Sequence, residues 1–86
     1  MSESILLGLG QAIDGFVVGQ ISLPELQARL AAGASALDTS YSELVEELRR
    51  VDSDLEQIQF TMLQDEQAPA AIFRLDATRD AVESAL

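Results

Sequence analysis

The chain has 86 residues, with 15 Asp and Glu residues against five Arg and no Lys, so its formal net charge is −10. It also contains no His and no Cys, so the side chains that most often act as bases or nucleophiles near neutral pH are missing, as are disulfides and thiolate metal sites. This composition argues against an enzyme and against a cofactor or metal site, and it predicts a single domain over residues 1–86 whose role is binding.

The N-terminal segment has apolar residues at helical spacing, which predicts an amphipathic helix over about residues 3–18 that stops at Gly19. The apolar run is too short to span a membrane, and Glu3 lies where a secretion signal is basic, so we expect a cytoplasmic protein. Glycines within this helix lower its intrinsic propensity, and close packing against a neighbouring helix would explain why they are there. They are Gly8, Gly10 and Gly15.

A second helix is predicted to begin at a capping box, in which Ser22 accepts from the N–H of Glu25 while the Glu25 side chain reaches back to Ser22. Pro24 falls in the first turn, where its missing N–H is tolerated. This helix should bury a stripe of leucines and end or bend near Gly33.

The third helix is predicted to be the longest, over about residues 41–64, and to open with a second capping box between Ser40 and Glu43. Apolar residues at alternating steps of three and four form a seam along it, although residues 52–54 are poor helix formers that could host a kink or a break. The seam consists of Tyr41, Leu44, Leu48, Val51, Leu55, Ile58 and Met62. We expect it to pack against the first two helices, and a homodimer through the seam is the alternative.

The last segment contains Pro69, which pushes the preceding residue away from helical angles and therefore predicts a loop. Residues 70–75 would then form a short apolar helix or a turn packed on the core, and Asp76 would be the N-cap of a final helix. The predicted fold class is all-α, a small antiparallel four-helix bundle with one long third helix.

Negative charge is concentrated in the second half of the chain. Residues 1–42 hold four acids and one Arg, whereas residues 43–86 hold eleven acids and four Arg. Such a field repels nucleic acid and anionic lipid and attracts basic proteins, so we expect a basic protein partner and neither nucleic acid nor membrane. The simpler account is that the acidity only keeps a small protein soluble.

The run from Phe16 to Leu26 joins an apolar helix end, a glycine-containing turn and Ile-Ser-Leu-Pro-Glu at the start of the next helix. Together with Asp52–Glu56 and with Arg74-Leu75 ahead of a short C-terminal helix, it resembles small bacterial immunity proteins similar to the colicin D immunity protein. The resemblance implies an acidic helical protein that covers the basic active-site cleft of a tRNA-cleaving toxin, with carboxylates where the RNA phosphates would lie.

Under that hypothesis, carboxylates on the long helix and the loop after it are the candidate contacts with Arg and Lys of the toxin. They are Glu46, Glu47, Asp52, Asp54, Glu56, Asp65 and Glu66. Pairing with Arg49 and Arg50 on the same helix would give Glu46 and Glu47 a structural role instead. Asp65 is expected near a helix C-terminus, where its charge is mildly unfavourable.

Two other functions are compatible with the sequence. A homodimeric helical adaptor would use the apolar seam. A carrier protein is the other, because the stretch from Asp38 to Leu44 distantly resembles the phosphopantetheine site of acyl and peptidyl carrier proteins. That resemblance implies Ser40 as the modified residue, although the family's Asp-Ser-Leu tripeptide does not occur.

Overall fold

The computed structural model describes residues 2–86, which form four α-helices and one 3₁₀ turn, without any strand in that range. The helices are α1 (Ser2–Val17), α2 (Leu23–Ala36), α3 (Ser42–Thr61) and α4 (Gln64–Ala85), and the 3₁₀ turn is Thr39–Tyr41. Consecutive helices pack against one another and α4 packs back on α1, which closes a bundle of 37 × 21 × 19 Å. The predicted all-α four-helix bundle is confirmed, and the 3₁₀ turn joins α3 to give one long third helical run.

The core lies along the axis of the bundle, where one apolar stripe from each helix meets the others. Four residues of the predicted seam are buried there: Leu44, Leu48, Val51 and Leu55. Tyr41 and Ile58 are half-buried and Met62 is 40% exposed, so only the ends of the seam lie within reach of a second copy. The helix is continuous from Ser42 to Thr61, so it is not broken at residues 52–54.

The end of α1 confirms the role predicted for Gly19, which has φ of +82°. Its N–H donates to the carbonyl of Phe16 at 3.0 Å, and the N–H of Gln20 donates to the carbonyl of Gly15 at 2.7 Å. These two bonds form a Schellman motif, which requires a left-handed residue and therefore favours glycine.

Two predictions about α2 need correction. The helix continues through Gly33 to Ala36. Gly33 is buried where α2 crosses α1, and a Cβ at this position would clash with the side chain of Leu9. By contrast, Gly8 and Gly10 of α1 would have open space around a Cβ, so close packing does not explain them. Only half of the capping box forms: Ser22 accepts from the N–H of Glu25 at 3.3 Å, but the Glu25 carboxylate pairs with Arg29.

The loop predicted at Pro69 is wrong, because α4 is one continuous helix from Gln64 to Ala85. Pro69 lies early in that helix and removes one hydrogen bond to the first turn, while helical geometry beyond it buries Ala71 and Leu75 against the core. Burial of the apolar stripe outweighs the local bias of the proline. Residues 70–75 are therefore helical, and Asp76 is an exposed mid-helix residue rather than an N-cap.

The predicted N-cap Ser40 is also wrong, because Asp38 caps this region. The Asp38 carboxylate accepts from the N–H of Ser40 at 2.9 Å and also from its hydroxyl, and these bonds lower the pKa of Asp38 below its ordinary value. The carboxylate of Asp38 satisfies the N–H of Ser40, and the Ser40 hydroxyl is bonded to that carboxylate, so the predicted box between Ser40 and Glu43 does not form.

Candidate partner-binding surface

Arg74 of α4 reaches across to α3 and binds two of the predicted site residues. Its Nε lies 2.7 Å from Asp54 Oδ2, and its terminal nitrogen lies 2.9 Å from Glu47 Oε2. The hydroxyl of Thr78, a fully buried side chain on α4, donates to the same Glu47 oxygen at 2.7 Å. These groups hold α3 against α4, so Glu47 and Asp54 have a structural role within the chain.

The charge state of Glu47 follows from this network. Partial burial raises its pKa, but hydrogen bonds from Arg74 and Thr78 and the charges of Arg74 and Arg50 outweigh burial, so the net pKa lies below the ordinary value. The same hydrogen bond favours the charged form of Arg74 and therefore raises the pKa of Arg74. Arg50 adds little, since it stands 3.7 Å away from Glu47 on a largely exposed side chain.

The other five predicted site residues make no ion pair within residues 2–86, and all but the half-buried Asp52 are exposed. Asp65 and Glu66 occupy the first turn of α4 rather than the C-terminal end of α3. Their charge therefore interacts favourably with the helix dipole, and the unfavourable setting expected for Asp65 is wrong. The five are Glu46, Asp52, Glu56, Asp65 and Glu66.

Two of the five arginines connect helices, and two others pair only within their own helix. Arg79 pairs with Asp14 and so connects α4 to α1, while Arg29 pairs with Glu25 within α2 at 2.8 Å. Only Arg49 makes no ion pair in the described part of the chain. The cations therefore neutralise carboxylates between and along helices, and most of the exposed carboxylates of α3 and α4 make no ion pair within residues 2–86.

The solvent side of α4 places further residues beside the predicted Asp65 and Glu66 that the sequence did not single out. We call it the outer face of α4, and it consists of Asp65, Glu66, Pro69, Phe73, Asp76 and Asp80, all exposed. Phe73, which the sequence placed in a core-packing segment, is 87% exposed. Once α4 is continuous through Pro69, the buried positions Ala71, Leu75 and Val82 recur at helical spacing and place Phe73 on the opposite side.

The corner between α3 and α4 is short and partly apolar. Only Met62 and Leu63 separate the helices, and Phe60 and Leu63 are 78% and 69% exposed. The side-chain amide of Gln67 donates to the carbonyls of Gln59 at 3.2 Å and Met62 at 3.1 Å, so it satisfies groups that the end of α3 leaves unpaired.

An open groove of about 690 Å³ lies between the start of α3 and the end of α4, and Ser40, Tyr41 and Ala81 are among its lining residues. Ser40 is exposed at this groove with its hydroxyl bonded to Asp38, and its modification as in a carrier protein stays a prediction. Within residues 2–86, no three carboxylates are grouped so that they could hold a metal ion.

None of the helices described between Ser2 and Leu86 is both long enough and apolar enough to cross a membrane. No protein-family model, curated protein or solved structure matches the chain at a significant level.

Proposed function

We propose that this chain is a non-enzymatic acidic binding protein that neutralises a basic protein partner by covering its functional cleft. The best candidate for the partner is a bacterial nuclease toxin of the tRNA-cleaving type. This choice of partner rests on the resemblance of the Phe16–Leu26 run and of the acidic centre of the chain to small immunity proteins.

The observation that carries the proposal is how the carboxylates divide into two groups. Glu47 and Asp54 pair with Arg74 and hold α3 to α4, whereas most of the other exposed acids of α3 and α4 make no ion pair within residues 2–86; Glu83, which lies 4.0 Å from Arg79, is the exception. The folded chain thus pairs the carboxylates that lie between helices with Arg, and it leaves a set of exposed, unpaired acids on two adjacent helices. Glu56 on α3 and Glu66 on α4 belong to that set.

A surface of this kind acts mainly through electrostatics. A negative field accelerates encounter with a cationic protein and disfavours anionic competitors, and the acceleration falls as salt screens the charges. On contact, each carboxylate that receives a well-aligned bond from Arg or Lys contributes about 1.5–3 kcal/mol. An RNA-binding cleft offers such cations at the positions of phosphates, so the same acids would exclude RNA by occupying its site.

The test is co-expression of this chain with the protein encoded by the adjacent reading frame, followed by size-exclusion chromatography and a tRNA-cleavage assay of the purified neighbour. We expect a stable complex, loss of tRNA cleavage when this chain is added, and a dissociation constant (Kd) that rises steeply with salt. If the neighbour neither binds nor loses a nuclease activity, the proposal is wrong.

Glu66→Arg and Glu3→Arg form a matched pair for this assay. Both residues are exposed acids in the first turn of a helix, so the two reversals make the same charge change and have similar effects on helix stability. We expect Glu66→Arg to raise Kd about 10-fold or more, because it places like charges opposite each other, and Glu3→Arg to change it little. Equal effects would contradict the assignment of the surface to α3 and α4.

A further inference from the structure

We propose that Phe73 is the apolar centre of the partner contact on the outer face of α4, and that it inserts into an apolar socket of a basic protein whose cations flank that socket. The inference rests on the proposed function and deepens it, since it assigns one helix face and one side chain to the contact. The argument combines the exposure of Phe73, the helical register of its neighbours and the sign of their charges.

The exposure of Phe73 is unusual for a side chain of its size. At 87% exposed, it contributes almost nothing to the core, although removing a phenylalanine ring from water is strongly favourable. Interfaces concentrate their binding energy in such aromatic side chains, which lie in the centre of the contact and are surrounded by polar groups that exclude water. Phe73 therefore has the chemistry of a contact residue rather than of a folding residue.

The acids around Phe73 have a regular register. Glu66 lies seven residues before it and Asp80 seven residues after it, so all three share one side of the helix with about 10 Å between successive positions. Pro69 and Asp76 fall within the same stretch, and every residue of this set is exposed. The face thus presents one aromatic ring between two pairs of carboxylates. Asp65 and Glu66 precede Phe73 in the helix, and Asp76 and Asp80 follow it.

Arginines do not disturb the sign of this face. Arg74 points to α3, where it binds Glu47, and Arg79 points to α1, where it binds Asp14. The complementary surface is consequently an apolar socket with Arg or Lys about 10 Å away on both sides. A second copy of the chain would bring the same acids opposite themselves, and an anionic lipid surface would be repelled, so charge selects a basic protein as the occupant.

The experiment uses the full chain and the purified protein of the adjacent reading frame as the probe. Phe73→Ser is compared with Phe60→Ser, since both phenylalanines are almost fully exposed on neighbouring helices and only Phe73 lies on the outer face of α4. We expect Phe73→Ser to raise Kd at least 10-fold, mainly through faster dissociation, with the salt dependence retained. Phe60→Ser, one turn from Glu56 on α3, should raise Kd clearly less than Phe73→Ser does.

A direct readout of burial is available because the chain contains no Trp. Phe73→Trp should give an emission that shifts to shorter wavelength when the probe is added, measured as the difference from the same mixture with the unsubstituted chain, and Phe60→Trp should not. The inference is overturned if the complex forms but neither Phe73 variant differs from its Phe60 control, a result that leaves the proposed function standing. Failure of the unsubstituted chain to bind the probe overturns both, and a dimer of this chain that Phe73→Ser dissociates would assign the face to self-association.

Discussion

Gly33 sets the approach of two helices at a single residue. It is buried in α2, and a Cβ at this position would lie 3.0 Å from Cγ of Leu9, which is itself only 3% exposed. Leu9 is enclosed by the core and has little room to move. The absence of a side chain at Gly33 is therefore what allows α1 and α2 to pack at their observed distance.

We expect Gly33→Ala to destabilise the protein by about 1–2 kcal/mol, because overpacking costs more than the gain in helix propensity returns. Gly8→Ala is the matched control, since Gly8 is an exposed helical glycine with nothing within 4 Å of a Cβ. It should stabilise the protein by about 0.5–1 kcal/mol. Chemical denaturation of both variants measures the two free energies of unfolding, and a stabilised Gly33→Ala would show that Leu9 gives way easily.

Helical glycines show how far the sequence could predict packing. The sequence located α1 and the start of α2 well, and the composition of the turn indicated the correct role of Gly19 as a helix stop. Which glycine lies at a crossing depends on the rotation of one helix against another, and that rotation is set by contacts distant in sequence. The glycines of α1 and Gly33 of α2 therefore could not be told apart before the bundle was known.

At the scale of elements, the α3 and α4 pair is fastened by one cation. Replacing Arg74 by Met keeps an unbranched apolar stem but removes the bonds to Glu47 and Asp54, and leaves Glu47, only 16% exposed, with no cation nearer than Arg50 at 3.7 Å. We expect a loss of about 1–3 kcal/mol in the free energy of unfolding. Arg49→Met, at an exposed position on α3, should stay within about 0.5 kcal/mol of the parent in the same denaturation experiment.

The ion pair between Glu47 and Arg74 should make the free energy of unfolding depend on pH. The pKa of Glu47 is lowered in the folded chain, so its contribution is present above the ordinary value of 4.5 and is lost as pH falls through the lower folded value. Thermal unfolding between pH 3 and 6 should show a smaller loss of stability at acid pH in Glu47→Gln than in the parent. Glu46→Gln, at an exposed residue without an ion pair in the described chain, is the control and should keep the parent profile.

The helix α4 shows where element-level prediction failed and why. Pro69 is a strong local signal, and it led to a predicted loop, a short segment and a new N-cap at Asp76. The structure keeps one helix because Ala71, Leu75 and Val82 must face the core together, which a break would prevent. The error moved Phe73 from the surface to the interior, so the outer face of α4 was not recognised, although Asp65 and Glu66 within it were already candidates.

At the scale of the whole molecule, a net charge of −10 on a chain this small should oppose folding through repulsion among the unpaired acids. Added salt screens that repulsion, so the midpoint of thermal unfolding should rise by several degrees between about 10 mM and 300 mM NaCl. Potassium fluoride at equal ionic strength should have the same effect if screening is the cause. A midpoint that falls with salt would indicate that the internal Arg pairs dominate.

The arrangement of Arg74 and Arg79 between helices has a consequence for how the molecule moves toward others. Both cations sit inside the bundle contacts of α4, while uncompensated acids lie on the outward sides of α3 and α4. The protein is consequently an electric dipole whose negative end points away from α1 and α2. The field of a cationic macromolecule would exert a torque on it as well as an attraction. The protein would therefore approach such a partner with the acidic side of α3 and α4 facing it.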